Sequence, residues 1–293
     1  MFLDSGFAIK FIFAAIVSFI LLCMSGCSAQ NKENQASKVS DNNEKSEASL
    51  IISDSSISSE EKTEKTADCS IFSRVCCIGD SYTAGYVPDK NGYGWADDEN
   101  SAWPYHMSML TGCQYINCGI SGANAYDWLN RSDGLKKAEK AGKADAYIIG
   151  LGINDSTEDP RYHLELGDKS DIGTDRVSYY GCMAKIVREL HKISPDAHIF
   201  MQTCPDSTFS SHYNADRYDK YNTAVREICS SCADECHTHL LDLAAVKERY
   251  LYNDVLNKSR IGGHFTSEGY KEFAKLLYEI WNEYLKDNAE LFS

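Results

Sequence analysis

Short apolar segments alternate along the chain with longer stretches in which apolar residues recur every three or four positions. The short segments have the length of buried β-strands: Ile71–Ile78, Tyr115–Cys118, Ala146–Leu151, His198–Thr203 and His239–Leu243. The longer stretches predict helices, with one face formed by Val177, Tyr180, Ala184, Val187 and Leu190, a second by Tyr218, Tyr221, Val225 and Ile228, and a third by Tyr270, Phe273, Ala274, Leu277, Ile280, Trp281 and Tyr284. Strands that alternate with helices predict an α/β fold with a parallel sheet covered on both faces.

The only apolar segment long enough to enter a bilayer lies near the N-terminus. Phe11–Met24 has the length of a signal-peptide core, and Lys10 gives it a weakly positive start. It runs into Ser25-Gly26-Cys27, which is similar to a bacterial lipoprotein cleavage box. We therefore expect residues 1–26 to be a signal peptide and Cys27 to carry lipid on the outer face of a membrane. An uncleaved signal anchor and ordinary secretion are the alternatives.

The segment after Cys27 has the composition of a tether. Residues 28–68 contain no aromatic residue, ten serines, and nine acids against five lysines. Such a stretch cannot bury enough apolar surface to offset the entropy lost on ordering it. We expect residues 27–68 to be a lipid-anchored, disordered linker and residues 69–293 to be one folded domain.

The overall charge limits the choice of partner. The chain carries 43 acidic residues against 29 Lys and Arg, a net charge of −14. Binding to a nucleic-acid backbone needs clustered basic residues, and the sequence has no such cluster. We therefore expect no nucleic-acid partner.

Four short motifs lie at the ends of predicted strands or just before a helix. They are G-D-S-Y-T-A-G at 79–85, N-C-G-I-S-G at 117–122, G-L-G-I-N-D at 150–155 and G-G-H-F-T at 262–266. In a parallel α/β sheet, the carboxyl ends of the strands form the active site. A serine at such a strand-to-helix turn is a position where a hydroxyl group can be exposed and activated.

In these four motifs, and in their order, the sequence resembles the SGNH (GDSL-type) serine hydrolases. The resemblance covers residues 71–285 and implies a three-layer α/β/α sandwich of flavodoxin type. It also implies that Ser81 is the nucleophile and His264 the general base, with the oxyanion hole formed by the backbone N–H groups of Ser81 and Gly122 and the side-chain amide of Asn154. Gly119 is the alternative to Gly122. No cofactor is implied.

One position departs from the family pattern. The family usually has an aspartate three residues before the histidine, and this chain has Ile261 there, whose side chain cannot accept a hydrogen bond. Three readings stay open. A backbone carbonyl orients His264, giving a Ser–His dyad; a carboxylate from elsewhere, Asp254 or Asp242, replaces the missing one; or the domain is catalytically dead.

Other residues with reactive or ligating side chains have a structural reading beside a functional one. Asp80 and Asp155 are interpreted as residues that hydrogen-bond their loops, since the extra histidines of two-metal phosphoesterases are missing. Cys229, Cys232 and Cys236 fit buried thiols, one disulfide or a zinc site. Adjacent Cys76 and Cys77 should point to opposite faces of the first strand. No metal site is expected. Five aromatic residues fit either sugar stacking or the core, with the core favoured for Trp103: Tyr93, Trp95, Trp103, Tyr126 and Trp128.

The sequence thus predicts an exported, lipid-anchored serine esterase. Its expected substrates are acyl esters of a polysaccharide or of a small molecule. Short acyl groups such as acetate, carried by a polysaccharide, are favoured. A lipase or thioesterase of the same family would share every motif. The alternatives from other classes are a non-catalytic glycan-binding lipoprotein on the same fold and a cysteine-dependent metal or redox module.

Overall fold

The computed structural model describes residues 68–89, 94–205 and 215–292. The expected signal peptide, Cys27 and almost all of the linker lie outside these residues, as does Tyr93. Among the described residues, no helix is both long and apolar enough to cross a bilayer.

Five parallel strands form the central sheet. In chain order they are β1 (Arg74–Gly79), β4 (Gln114–Gly119), β5 (Ala146–Gly150), β6 (His198–Gln202) and β7 (Thr238–Leu241). Their spatial order is β4-β1-β5-β6-β7, the order of a flavodoxin-type sheet. Two small antiparallel hairpins lie outside this sheet: β2 (Tyr86–Pro88) with β3 (Trp95–Asp97), and β8 (Arg260–Ile261) with β9 (His264–Phe265).

In the described residues, eight α-helices connect and cover the strands. They are α1 (Ser81–Ala84), α2 (Trp103–Thr111), α3 (Gly134–Ala141), α4 (Tyr179–Ile193), α5 (Ala215–Cys236), α6 (Glu248–Leu251), α7 (Asp254–Lys258) and α8 (Ser267–Asp287). One apolar core joins the sheet to residues of α3, α4 and α5, and a second joins its other face to α2 and α8. This is the three-layer α/β/α sandwich that the resemblance implies.

The side chains of β1 show how the sheet separates the two cores. Cys76 and Ile78 belong to the core under α4 and α5, whereas Val75 and Cys77 belong to the core under α8. The expectation that Cys76 and Cys77 point to opposite faces is therefore confirmed. It follows from the two-residue period of a strand.

Several boundaries differ from the sequence pattern, and a capping residue explains two of them. Ile71 is not in the first strand but in a short 3-10 helix, Cys69–Ile71, which the side chain of Asp68 caps. Val177 precedes α4 instead of lying on its buried face, and it is 52% exposed. Ser178 caps that helix by accepting a hydrogen bond from the Gly181 N–H, so the helix begins two residues later than the apolar spacing suggests.

Three strands end in glycine at the same level of the sheet. Gly79 of β1 is paired with Gly119 of β4 on one side and with Gly150 of β5 on the other. A Cβ atom on Gly79 would lie 2.0 Å from the Thr83 hydroxyl, and one on Gly119 would lie 2.4 Å from the Ala84 nitrogen. Glycine thus lets α1 pack directly on the strand ends, and the first three motifs leave the sheet side by side.

Candidate functional site

Ser81 is the first residue of the short helix α1, directly after β1. Asp80 caps the helix, and its carboxylate accepts a hydrogen bond from the Tyr82 N–H at 2.9 Å. Gly85 ends the helix in a left-handed conformation, with φ of 80°. These constraints fix the Ser81 side chain at the carboxyl edge of the sheet, where it is only 7% exposed.

His264 reaches Ser81 from the β8–β9 hairpin. Gly262 and Gly263 form the two-residue turn of this hairpin, with φ values of 53° and 83° that favour glycine. The turn brings the ring of His264 back over α1, and its Nε2 lies 2.8 Å from the Ser81 Oγ. The structure therefore joins two residues that are 183 positions apart, in the arrangement that proton transfer from a serine to an imidazole requires.

The surroundings of the His264 imidazole shift its pKa in both directions. The backbone of Gly262 and the charge of Asp97 raise the pKa of the ring. Burial has the larger effect, so the pKa of His264 is lowered overall from its usual 6.5. A lowered pKa keeps the ring neutral at pH 7, the form in which it can accept a proton.

The two carboxylates considered as substitutes for the missing aspartate are engaged elsewhere. Asp242 forms an ion pair with Arg226 at 2.7 Å and accepts a hydrogen bond from Thr203 at 2.9 Å. Asp254 lies at the surface, 3.8 Å from Lys258. The structure therefore does not support the reading in which either carboxylate replaces the missing aspartate.

The loops of the second and third motifs are joined by a hydrogen bond. The Asn154 side-chain amide donates a hydrogen bond to the Ala123 carbonyl at 2.9 Å, which ties Asn154 to the residue after Gly122. Because an amide NH₂ group has two donors, one N–H of Asn154 is left for a ligand. The Gly119 N–H already donates a hydrogen bond to the Asn117 side chain at 2.9 Å. Gly122 has a left-handed backbone, with a φ of 77°. This difference favours Gly122 over Gly119 as a donor to a reacting oxygen.

The buried aspartates hold the loops of the site, as the sequence suggested. Asp155 is fully buried and accepts a hydrogen bond from the Ala125 N–H at 2.8 Å. Burial raises the pKa of Asp155 to about 8 and that of Asp80 to about 7. Nowhere in residues 68–89, 94–205 and 215–292 do three His, Cys, Asp or Glu side chains converge in a way that would hold a metal ion.

Aromatic rings surround His264 on several sides. Tyr82 is stacked on it with ring centroids 5.2 Å apart, and Tyr86 and Trp95 lie at 5.1 and 5.6 Å. Trp95 is half-buried, so part of its ring faces solvent beside the histidine. Tyr162, also half-buried, lies against Gly122, because a Cβ there would be 3.2 Å from the tyrosine ring.

The other aromatic candidates lie elsewhere. Trp103 and Trp128 are buried in the two cores, so neither is available to a sugar, and Tyr126 packs against Arg131. Sequence reasoning missed Tyr82 and Tyr86 as neighbours of the site. Only Tyr82, directly after Ser81 in the first motif, carried a signal that could have identified it.

The cysteine cluster of α5 consists of thiols. Cys229, Cys232 and Cys236 are all buried, and each is a free thiol. His239, which follows them, bonds to His198 at 2.9 Å and to the Tyr284 hydroxyl at 3.2 Å instead of turning toward the cysteines. The arrangement matches the buried-thiol reading of this segment.

Comparison with known families gives one match over most of the domain. Residues 77–272 match the GDSL-like Lipase/Acylhydrolase family. This span contains Ser81, Gly122, Asn154 and His264. Among curated proteins, none matches the chain.

Solved structures of three esterases or lipases are similar to the chain at low identity. A carbohydrate esterase family 2 enzyme from Corynascus thermopiles (Myceliophthora fergusii), which has an additional carbohydrate-binding domain, is 18% identical; the match covers 72% of this chain and 66% of that one, with a TM-score of 0.47. A carbohydrate acetylesterase from Sinorhizobium meliloti is 18% identical, covering 70% and 96%, with a TM-score of 0.47. The lipase/acylhydrolase from Enterococcus faecalis is 17% identical, covering 73% and 95%, with a TM-score of 0.45.

Proposed function

The chain belongs to the GDSL-like Lipase/Acylhydrolase family and is a carboxylic ester hydrolase; on that premise we propose that it is an exported, lipid-anchored esterase that removes short acyl groups, such as acetyl, from polysaccharides through an acyl-enzyme on Ser81. The observation that carries this proposal is the 2.8 Å contact between the Ser81 Oγ and the His264 Nε2. It gives a weakly acidic hydroxyl a neutral base within hydrogen-bond distance.

The reaction has two halves. In the first, Ser81 Oγ attacks the ester carbonyl while His264 Nε2 takes the hydroxyl proton; the C–O bond to the alcohol then breaks, and His264 returns the proton to the departing oxygen. In the second, His264 removes a proton from water, which attacks the acyl-serine. The carboxylic acid leaves, and Ser81 regains its proton. Both halves use only the groups of this site and water.

Each half passes through a tetrahedral oxyanion. We assign its stabilisation to the backbone N–H groups of Ser81 and Gly122 and to the second amide N–H of Asn154. Donors held rigidly before the reaction cost no reorganisation when the charge develops, and each is typically worth about 3 kcal/mol of barrier. The hydrogen bond from Asn154 to the Ala123 carbonyl fixes two of these donors relative to each other.

The orienting partner of His264 is neutral. From the effect of the Gly262 backbone on the pKa of the ring, we infer that the Gly262 carbonyl accepts the second ring N–H and so selects the tautomer in which Nε2 can accept a proton. It stabilises the imidazolium less than a carboxylate would. We therefore propose a Ser–His dyad, with Gly262 taking part through its backbone.

The surface beside the dyad supports a carbohydrate substrate. Trp95 and Tyr162 are both half-buried, and they lie next to His264 and to Gly122, respectively. Partly exposed aromatic rings offer apolar faces on which the C–H groups of a sugar ring can pack. An ester carried by a sugar held between them would lie close to Ser81.

The location follows from the N-terminal sequence. Phe11–Met24 and the Ser25-Gly26-Cys27 segment support export, followed by lipid attachment at Cys27. Residues 28–68 would then let the domain stand away from the membrane. Radiolabelled palmitate should enter the chain in bacterial cells, and Cys27→Ala should abolish the label.

The proposal is tested by measuring acetate released from acetylated xylan and hydrolysis of p-nitrophenyl esters of increasing chain length. We expect acetate release, with p-nitrophenyl acetate cleaved faster than the octanoate, and loss of both activities in Ser81→Ala. Faster cleavage of the octanoate would indicate a lipase. Binding to xylan with no ester cleavage and no fluorophosphonate labelling would indicate a glycan-binding protein.

A further inference from the structure

Two aromatic residues, Tyr82 and Trp95, contact the turn that carries His264. Neither has a role in the mechanism described above. We propose that both are positioning residues, which hold the imidazole in register with Ser81 and so replace the orienting carboxylate that Ile261 cannot supply. This inference rests on the proposed Ser81–His264 mechanism.

Tyr82 contacts the histidine and its turn at once. Its hydroxyl donates a hydrogen bond to the Gly263 carbonyl, and its ring is stacked on the His264 ring, with an angle of 24° between the planes. Its backbone N–H is bound by Asp80 within the same helix that carries Ser81. One residue therefore links the position of the nucleophile to that of the base.

Trp95 supports the other side of the turn. A Cβ atom on Gly262 would lie 2.8 Å from the Trp95 ring, so the indole packs directly on the residue whose carbonyl accepts the His264 N–H. Trp95 is in turn stacked on Tyr86, with centroids 5.3 Å apart. The Tyr86 carbonyl accepts a hydrogen bond from the Tyr270 hydroxyl at 3.1 Å, which anchors this hairpin to α8.

The missing carboxylate explains why such support matters. Ile261 is 40% exposed and its side chain offers no acceptor, so no carboxylate at this position can orient the ring of His264. Rotation of an imidazole about χ2 is otherwise soft. Rings packed on its faces restrict that rotation and keep water from competing for Nε2.

Few titratable groups face the histidine. They are Ser81, the hydroxyl groups of Tyr82 and Tyr86, and Asp97, whose charge is the one that acts on the ring. Opening the aromatic contacts should admit water to the imidazole and weaken the effect of burial. The apparent pKa of the base would then rise toward 6.5.

The test uses the full chain and p-nitrophenyl acetate, which has no sugar ring that could stack on Trp95. The variants are Tyr82→Phe, which keeps the stacked ring and loses the bond to Gly263, together with Trp95→Ala and Trp95→Phe. Tyr252→Phe is the matched control, because Tyr252 is 81% exposed. The readouts are kcat, KM and the ascending limb of kcat/KM against pH.

We expect kcat to fall about tenfold in Tyr82→Phe and further in Trp95→Ala, while KM stays within about twofold of the wild-type value. A loss of this size is part of the 10²–10⁴-fold contribution that a general base makes to the rate. In Trp95→Ala the ascending limb should move to higher pH, and Trp95→Phe should restore most of kcat. Tyr252→Phe should behave as the wild type. A merely structural role would lower the melting temperature without moving the limb.

Two outcomes would overturn the inference. In the first, kcat is unchanged in Tyr82→Phe and the ascending limb of kcat/KM against pH does not move in Trp95→Ala. If Trp95→Ala does not fold, Trp95→Phe takes its place. The other is loss of kcat that only tracks loss of folded protein by circular dichroism. Failure of the proposed function is distinct, because the wild type itself would then neither hydrolyse the ester nor react with a fluorophosphonate.

Discussion

Ile261 pairs directly with His264 across the β8–β9 hairpin. In an antiparallel pair, directly opposed residues carry their side chains on the same face, with Cβ atoms about 5 Å apart. The position where the family usually has an aspartate is thus the position from which a carboxylate would reach the imidazole. The chain keeps the geometry of a triad without its third side chain.

This pairing predicts a gain of function for Ile261→Asp. A carboxylate at this site should stabilise the imidazolium that forms during attack and raise kcat about tenfold, a modest part of what a triad acid can contribute. It should also raise the apparent pKa of His264, so the ascending limb of kcat/KM moves to higher pH. Steady-state kinetics between pH 4.5 and 9 measures both effects.

Ile261→Asn is the matched control for that prediction, because asparagine has nearly the same shape as aspartate but carries no charge. It should give neither the gain nor the shift. If Ile261→Asp leaves kcat and the limb unchanged, the side chain at 261 does not reach the ring, and the hairpin geometry described above is contradicted.

Asn154→Asp tests the amide donors of Asn154. The substitution keeps the shape of the side chain and removes both N–H donors, of which one holds the Ala123 carbonyl. We expect kcat to fall by about 10²–10³ with little change in KM, as for other oxyanion donors. Asn154→Ala, which removes the donors without adding the negative charge of an aspartate, should lose a similar factor; full activity in it would remove Asn154 from the mechanism.

The raised pKa of Asp155 predicts how the free energy of unfolding depends on pH. Burial raises its pKa from 3.8 to about 8, so the folded protein keeps a proton that the unfolded chain releases above pH 3.8. Between these values the unfolded state binds fewer protons, and the free energy of unfolding falls as pH rises, by about 1.4 kcal/mol per pH unit for this group. The contribution is complete below pH 3.8 and is lost by about pH 8.

Asp155→Asn should therefore make the free energy of unfolding fall less steeply between pH 5 and pH 8. The decline that remains is the smaller one due to Asp80, whose pKa is about 7. The amide oxygen can still accept the hydrogen bond from the Ala125 N–H. Urea unfolding at several pH values measures the slope. Exposed Asp196→Asn is the control, and an equal change of slope in both variants would contradict the assignment to Asp155.

The state of the cysteines can be counted directly. Nine cysteines of the described residues are free thiols, including Cys229, Cys232 and Cys236. Alkylation in denaturant without reductant, followed by peptide mapping, should modify every one of them, with a reduced sample as the reference. A cross-linked peptide pair that disappears on reduction would show a disulfide instead.

Much of the fold could be predicted from the sequence because its signals are local. The apolar runs of β5 and β6 and the spacing of α8 depend only on neighbouring residues, and all three elements are present. Ile71 and Val177 were assigned to elements they do not join, because the capping groups of Asp68 and Ser178 decide those boundaries.

The surroundings of His264 could not be predicted in the same way. The motif places a histidine before α8, but the acceptor of its ring N–H is a backbone carbonyl, which exists at every residue and carries no sequence signal. Gly262 and Gly263 indicate a tight turn, yet the contacts of Trp95 and Tyr86 with that turn come from a distant hairpin. Such contacts depend on tertiary packing rather than on local pattern.

The most direct test of the account is whether Ser81 forms a covalent adduct through the base His264. The wild type, Ser81→Ala and His264→Ala are treated with a fluorophosphonate, and the modified residue is located by peptide mass spectrometry. We predict one adduct on Ser81 in the wild type, none in Ser81→Ala, and labelling slowed by at least about 10² in His264→Ala. Labelling of another residue, or equal labelling rates in the wild type and His264→Ala, would contradict the Ser81–His264 mechanism.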